Sequence, residues 1–295
     1  MILVLALLVV QVREVDWADV REALTRYRGL VLVFALLLAL LSHALYGLFD
    51  QIARLCTGHR LTRLRVATIA FVSYAFNLNM GAMVGGVGFR YRLYSRYGLD
   101  GGTITQIIGL SVGANWLGYL LIGGIMFSMQ VVALPSGWEV GADGLRWIGF
   151  GMMAVALGYL AACGLSRRRS WTVRGHEILL PSLRIAVFQL LVSVANWMLI
   201  GALVYVLLLQ QAPYLTVLTV VLVSAIVGVI AHIPAGLGVI ELVFITMLSH
   251  LLPSSEMIAA LLAYRAVYYL VPLAVALLVY LLLEARANAS APATD

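Results

Sequence analysis

The chain has 295 residues, of which 63% are hydrophobic and 11% charged, and its mean hydropathy is +1.02. These values exclude a soluble domain of useful size and point to a polytopic membrane protein, with room for roughly seven or eight apolar segments of about 20 residues. The formal net charge is +6 and every basic residue is arginine; in a membrane protein such an excess marks cytoplasmic loops and anionic headgroups rather than nucleic acid.

The first twelve residues, MILVLALLVVQV, are apolar but too short to span, and they lack the basic start and small-residue cleavage site of a signal peptide. Residues 1–28 therefore read as an apolar stub followed by an amphipathic interfacial helix over 13–28. Residues 29–49 form a span that contains His43 and ends at Asp50. Arg54, Arg60, Arg63 and Arg65 then mark a cytoplasmic loop. Residues 66–101 are apolar, then broken by Gly81, Gly85, Gly86 and Gly88, then rich in arginine. Arginines flank the apolar part on both sides, which predicts a re-entrant hairpin rather than a crossing.

A long span follows over 103–134, with Asn115 and Trp116 inside it. An acidic loop at 135–144 leads to a return span at 146–165 and to a second arginine loop at 167–174. Cys56 and Cys163 lie beside these arginine loops, so both are expected to be reduced, and neither has a metal-ligand spacing. Residues 184–210 span outward. Residues 215–252 are apolar again but carry Pro234, Gly236 and Gly238 within five positions. Proline has no N–H and glycine lowers the cost of non-helical angles, so a second broken hairpin is expected there. The last span covers 256–283, and the polar tail at 284–295 reads as disordered.

These pieces form a pattern. Residues 29–134 and 184–283 each read span, broken hairpin, span, joined by the span at 146–165 in one membrane domain. By the arginine count the two hairpins enter from opposite sides, as in the inverted repeats of many secondary transporters. The fold class is thus all-α and polytopic, with about six or seven spans and two re-entrant hairpins.

Several charged groups in or beside the apolar segments could carry chemistry. Arg90 follows the first break, where free N–H groups, a helix end and a guanidinium together would hold a phosphate. Arg92 and Arg96 read as snorkelling arginines, and Asp50 as solvated at the interface. Glu241 follows the second break. Arg265 lies about 13 Å into the last span at 1.5 Å per residue, with Tyr268 and Tyr269 next on its face and Pro272 expected to kink the helix beyond. Neither Glu241 nor Arg265 is tolerable alone at that depth, so the two are expected to pair. His43, His232 and His250 read as satisfied polar residues. No metalloprotease, nucleotide-binding or triad spacing is present, so no enzyme activity, metal or cofactor is expected.

The motifs YAFNLNMGAMVGGVGFRYRLY, HIPAGLGVIE and YRAVYYLVPL together resemble the flippase-type membrane domain of lysylphosphatidylglycerol synthase, the multiple peptide resistance factor, and particularly its stand-alone YbhN-like inner-membrane branch. The resemblance implies movement of an anionic or zwitterionic phospholipid or lipid-linked headgroup between leaflets of a bacterial inner membrane; the C-terminus is expected on the cytoplasmic side. It matches Arg90, Glu241 and Arg265 to family motif positions and Asp50 more loosely; Asn79 and Asn115 complete the candidate headgroup contacts. The soluble aminoacyl-transferase domain has no counterpart here, so the family's lipid cannot be assumed. The other readings are a non-transporting scaffold or accessory subunit of an envelope enzyme, and a small-anion or proton-coupled carrier. Phospholipids are the expected partners, with a second copy or a separate synthase as further ones.

Overall fold

The computed structural model describes residues 17–132, 141–173, 176–231 and 236–289. The apolar stub, Pro234, His232, Arg174, most of the acidic loop and the end of the tail lie outside them. Among the described residues six helices are long and apolar enough to cross a membrane, as the composition requires.

The short helix α1 (Trp17–Thr25) precedes α2 (Gly29–Thr57), which Gly58 ends in a left-handed conformation, its N–H returning to Arg54. Next come α3 (Arg63–Met80), a wide-turn π-helical segment (Ala82–Gly88) and α4 (Phe89–Arg96). Helix α5 (Gly101–Ser128) starts on Asp100, whose carboxylate accepts from the Thr103 N–H and hydroxyl. The Thr103 hydroxyl first, and its N–H second, hold that carboxyl below the usual range. Helix α6 (Ala142–Leu165) returns to a two-stranded ribbon, β1 (Ser170–Val173) and β2 (His176–Leu179), antiparallel with Val173 opposite His176. The sequence reading placed only a charged loop there; the alternation in SWTV was the available signal. Then follow α7 (Leu183–Leu207), α8 (Tyr214–Ala231), α9 (Val239–Leu248), α10 (Ser254–Tyr264), a second wide-turn segment (Arg265–Leu270) and α11 (Val271–Ala289).

Contacts between element ends define two faces. On the arginine face, Arg65 at the start of α3 lies over the Tyr97 ring just past α4, and the His59 and Tyr94 rings are 6.1 Å apart. The first hairpin therefore begins and ends on one side. Arg92 and Arg96 both bond Glu284, Arg92 at 3.0 Å, so α11 ends on this face too. These two arginines are paired rather than simply snorkelling. Arg92 is well exposed, so Glu284→Gln is expected to lower the unfolding temperature in detergent only slightly, an effect that should shrink further at high salt.

On the opposite face, Arg26 meets Glu256 at 2.7 Å and the Tyr27 hydroxyl donates to the Leu207 carbonyl at 2.5 Å. Leu252 and Glu256 line one small recess there with Leu207 and Gln211, so the second hairpin (α8, α9) also begins and ends on one side. The hairpins thus enter from opposite faces, and the element order of the first half recurs inverted in the second. Of the six long apolar helices, α8 is the first arm of the second hairpin.

The breaks differ from expectation in one respect. In the second hairpin Gly236 and Gly238 take positive φ, 58° and 75°, as a turn between half-helices requires. In the first, only Gly81 leaves the helix (φ 85°, ψ 168°). Gly85, Gly86 and Gly88 stay helical, in the wide-turn segment. The reason for Gly85 is close approach: a Cβ there would lie 2.2 Å from the Phe76 carbonyl carbon. Its missing side chain lets the returning arm lie directly against α3.

Small residues also set the remaining crossings. A Cβ on Gly118 would meet Ser193 Oγ at 2.2 Å, and one on Gly124 would meet the Gly149 carbonyl at 2.8 Å. Helices α7 and α6 therefore pack backbone-close on α5, the usual device where lipid removes a hydrophobic drive between helices.

Candidate functional site

The tips of both hairpins border one cavity of about 700 Å³. Its wall includes Asn77, residues 80–84, Gly86 and Val87 from the first hairpin and Val221, Ser224, Gly228, Gly236 and Ile240 from the second. Asn115 and Trp116 on α5, Trp197 on α7, and Tyr46, Tyr74, Tyr264, Tyr268 and Tyr269 complete it. Of the sequence candidates, Asn115, Arg90, Gly86 and Gly236 reach this wall. The Asn115 carbonyl accepts from the Ser193 hydroxyl and the Trp197 indole, which fixes α5 against α7. Asn79 instead spends its amide on the carbonyls of Ala75 and Tyr269, at 2.8 and 3.3 Å, tying α3 to the second wide-turn segment.

The expected phosphate site at Arg90 is overturned. Arg90 is 1% and Asp50 0% exposed, so Asp50 is a core residue and not an interfacial one. Arg90 gives Nε and Nη2 to the two Asp50 oxygens at 3.1 and 3.0 Å and Nη1 to the Gly86 carbonyl. Asp50 also accepts from the Tyr94 and Ser111 hydroxyls. The carboxylate accepts four bonds, and the guanidinium gives three inside the protein. The free helix end imagined at Arg90 is missing as well, because α4 continues directly from the wide-turn segment. The sequence places Asp50 at the end of its span beside the arginine loop, where solvation looks cheap; the hairpin covers it instead.

The pairing of Glu241 with Arg265 is present. Arg265 donates Nε to Oε1 at 2.7 Å and Nη2 to Oε2 at 3.0 Å, with a further bond from Nη2 to the Gly236 carbonyl. Glu241 stands in the first turn of α9, where a carboxylate suits the positive helix end. This pair keeps contact with its surroundings: the side chains are 13% and 20% exposed, against 1% and 0% for Arg90 and Asp50.

The last span widens at Arg265–Leu270, ahead of the kink expected at Pro272. Pro272 has no N–H for the Tyr268 carbonyl, and a wide turn is one way a helix absorbs that loss. The widening also splits the two tyrosines. Tyr269 lies by Arg265, whose Cζ is 5.9 Å from its ring centroid, while Tyr268 turns toward α2.

There Tyr268 joins a hydroxyl chain that the sequence reading missed. Ser42 Oγ bonds Asn196 Oδ1 at 2.6 Å and the Tyr268 hydroxyl at 2.9 Å. The Tyr268 hydroxyl bonds that of Tyr74 at 2.8 Å. Tyr46 stacks on Tyr74 at 3.5 Å and lies 5.8 Å from Arg90 Cζ, so the chain adjoins the first ion pair. His43 packs 5.0 Å from both Tyr74 and Tyr268 and bonds the Ala39 carbonyl through Nδ1. The signal in the sequence was mid-span tyrosine: a buried hydroxyl needs a partner.

Among the described residues no cluster of three or more histidine, cysteine or acidic side chains could hold a metal ion. With this geometry in place, the comparisons with known proteins decide the family. The model of the lysylphosphatidylglycerol synthase TM region matches residues 1–276. The chain belongs to that family. It is 47% identical over 288 residues to the inner membrane protein YbhN of Escherichia coli, covering 97% of this chain and 91% of that one. It is 28% identical over 269 residues to the protein slr0712 of Synechocystis. It is also 24% identical over 293 residues to a phosphatidylglycerol lysyltransferase of Staphylococcus haemolyticus, of which it covers 32%. It is therefore a multi-pass membrane protein related to the membrane region of a lipid-modifying synthase.

Proposed function

We propose that this protein moves a phospholipid between the leaflets of a bacterial inner membrane, the headgroup passing through the cavity while the acyl chains stay in the bilayer. The reading is carried by one observation: two broken hairpins enter from opposite faces and their tips meet at a single cavity. Broken helices at membrane depth mark binding sites in transporters, and opposed hairpins offer each leaflet its own gate. Arginine enrichment makes the face that holds the end of α11 the cytoplasmic one.

A plug tests this reading. Gly228 lines the cavity, and a Cβ there would meet nothing within 4 Å, so Gly228→Trp fills the space without a backbone clash. In proteoliposomes carrying fluorescent phospholipids, wild-type protein should expose inner-leaflet label to an external quencher. The Trp variant should slow that exposure at least about tenfold while its unfolding temperature stays near wild type, since replacing a helical glycine costs nothing in propensity. Equal rates for the two would remove the cavity from the transport path.

A further inference from the structure

The two ion pairs differ in what a ligand can do with them. Asp50 and Arg90 are almost wholly buried, and the carboxylate accepts four bonds. Glu241 and Arg265 form one bidentate pair, partly exposed and bordered by Gly236, Ile240, Tyr264 and Tyr269 of the cavity wall. A lone anion that opens this pair takes Arg265 and leaves Glu241 as an uncompensated carboxylate; a lone cation does the converse. A headgroup with one phosphate and one ammonium does neither. The phosphate takes the guanidinium, the ammonium takes the carboxylate, and two charge-assisted pairs replace one.

The rest of the wall agrees with the amine half. Its cation Arg90 is neutralised by Asp50, so the wall adds no net charge to attract an anion. The faces of Tyr264 and Tyr269 are electron-rich surfaces that attract ammonium groups.

We infer that this site recognises a zwitterionic phospholipid, one phosphate and one ammonium with net charge zero, by exchanging the Glu241–Arg265 pair for the headgroup's own two charges. The inference rests on the transport reading only for the lipid being moved; recognition is measurable without movement.

The test is lipid-induced stabilisation of the purified protein in detergent, with phosphatidylethanolamine, phosphatidylglycerol and phosphatidic acid of identical acyl chains, and with soluble glycerophosphoethanolamine. The ethanolamine lipid should bind at least about tenfold more tightly than either anionic lipid, and the soluble headgroup should give no comparable shift. Glu241→Gln takes the carboxylate from Arg265 and should reverse the order in favour of phosphatidylglycerol. The double variant Glu241→Gln, Arg265→Gln carries no unpaired charge and should bind all three lipids alike, which keeps the test decisive if the single variant does not fold. Equal binding of anionic and zwitterionic lipids by wild type, persistence of the preference in the double variant, or equal binding of the soluble headgroup would overturn the proposal. Selective binding of the ethanolamine lipid without scrambling would overturn the transport reading alone. Scrambling of phosphatidylglycerol as fast as phosphatidylethanolamine would overturn this inference alone.

Discussion

Replacing Asp50 by Ala should destabilise the protein by about 3–5 kcal/mol, the usual cost of leaving one member of a buried ion pair without its partner. Arg90 would keep only the Gly86 carbonyl, and the Tyr94 and Ser111 hydroxyls would lose their common acceptor. Asp50→Asn should be milder, because the amide oxygen still accepts two of the four bonds while the charge is lost. Removing both charges with Asp50→Leu, Arg90→Met should cost less than Asp50→Ala alone, since an apolar pair leaves no buried charge. Thermal unfolding in detergent measures all three. If the double variant is the least stable, the pair supplies net stability and the account of it as a clamp around an expensive charge is wrong. The same series separates this pair from Glu241 and Arg265, whose partial exposure makes the corresponding losses smaller.

Much of this architecture was legible because lipid imposes few solutions. Apolar runs must be helices, and glycine or proline clusters within them must turn where protein covers the backbone. The arginine loops then oriented each piece, so the opposed hairpins followed from charge alone. The Glu241–Arg265 contact followed from depth: two opposite charges in one layer must meet. What failed was the assumption that Asp50, at the end of its span beside an arginine loop, reaches water. Burial there depends on the first hairpin folding over α2, which no local signal records. Two glycine roles were also conflated. Gly236 and Gly238 turn the chain, whereas Gly85 admits a neighbour, and the letter G does not distinguish these. The hydroxyl chain was missed for a related reason: Ser42, Tyr74, Asn196 and Tyr268 lie on four separate elements, so their spacing in sequence carries nothing.

The glycines of the first hairpin should respond in graded order, and the order is set by what each new Cβ would strike. At Gly85 the obstacles are the Phe76 carbonyl carbon and oxygen and the Asn77 nitrogen, at 2.2–2.3 Å. These are backbone atoms of α3 and cannot rotate aside, so Gly85→Ala must separate the arms of the hairpin. Overpacking of this kind costs about 1–3 kcal/mol, and Gly85→Val should exceed it. The separation would also pull at Phe76, which stacks on Phe89 at 4.0 Å with both rings against Tyr280, and at Gly86, whose carbonyl holds Arg90. At Gly86 the obstacle is the Asn77 side-chain oxygen at 2.8 Å, the far end of a rotatable group, so Gly86→Ala should cost about 1 kcal/mol or less. At Gly228 nothing lies within 4 Å, and Gly228→Ala should be neutral or slightly stabilising. Unfolding temperatures should therefore fall in the order Gly228→Ala, Gly86→Ala, Gly85→Ala, Gly85→Val. Because the separated arms carry Val84 and Gly86 of the cavity wall with them, Gly85→Ala should also lose transport beyond what its stability explains. A Gly85→Val variant that unfolds with wild type would show that the hairpin arms do not touch as described, and the cavity they border would have to be redrawn.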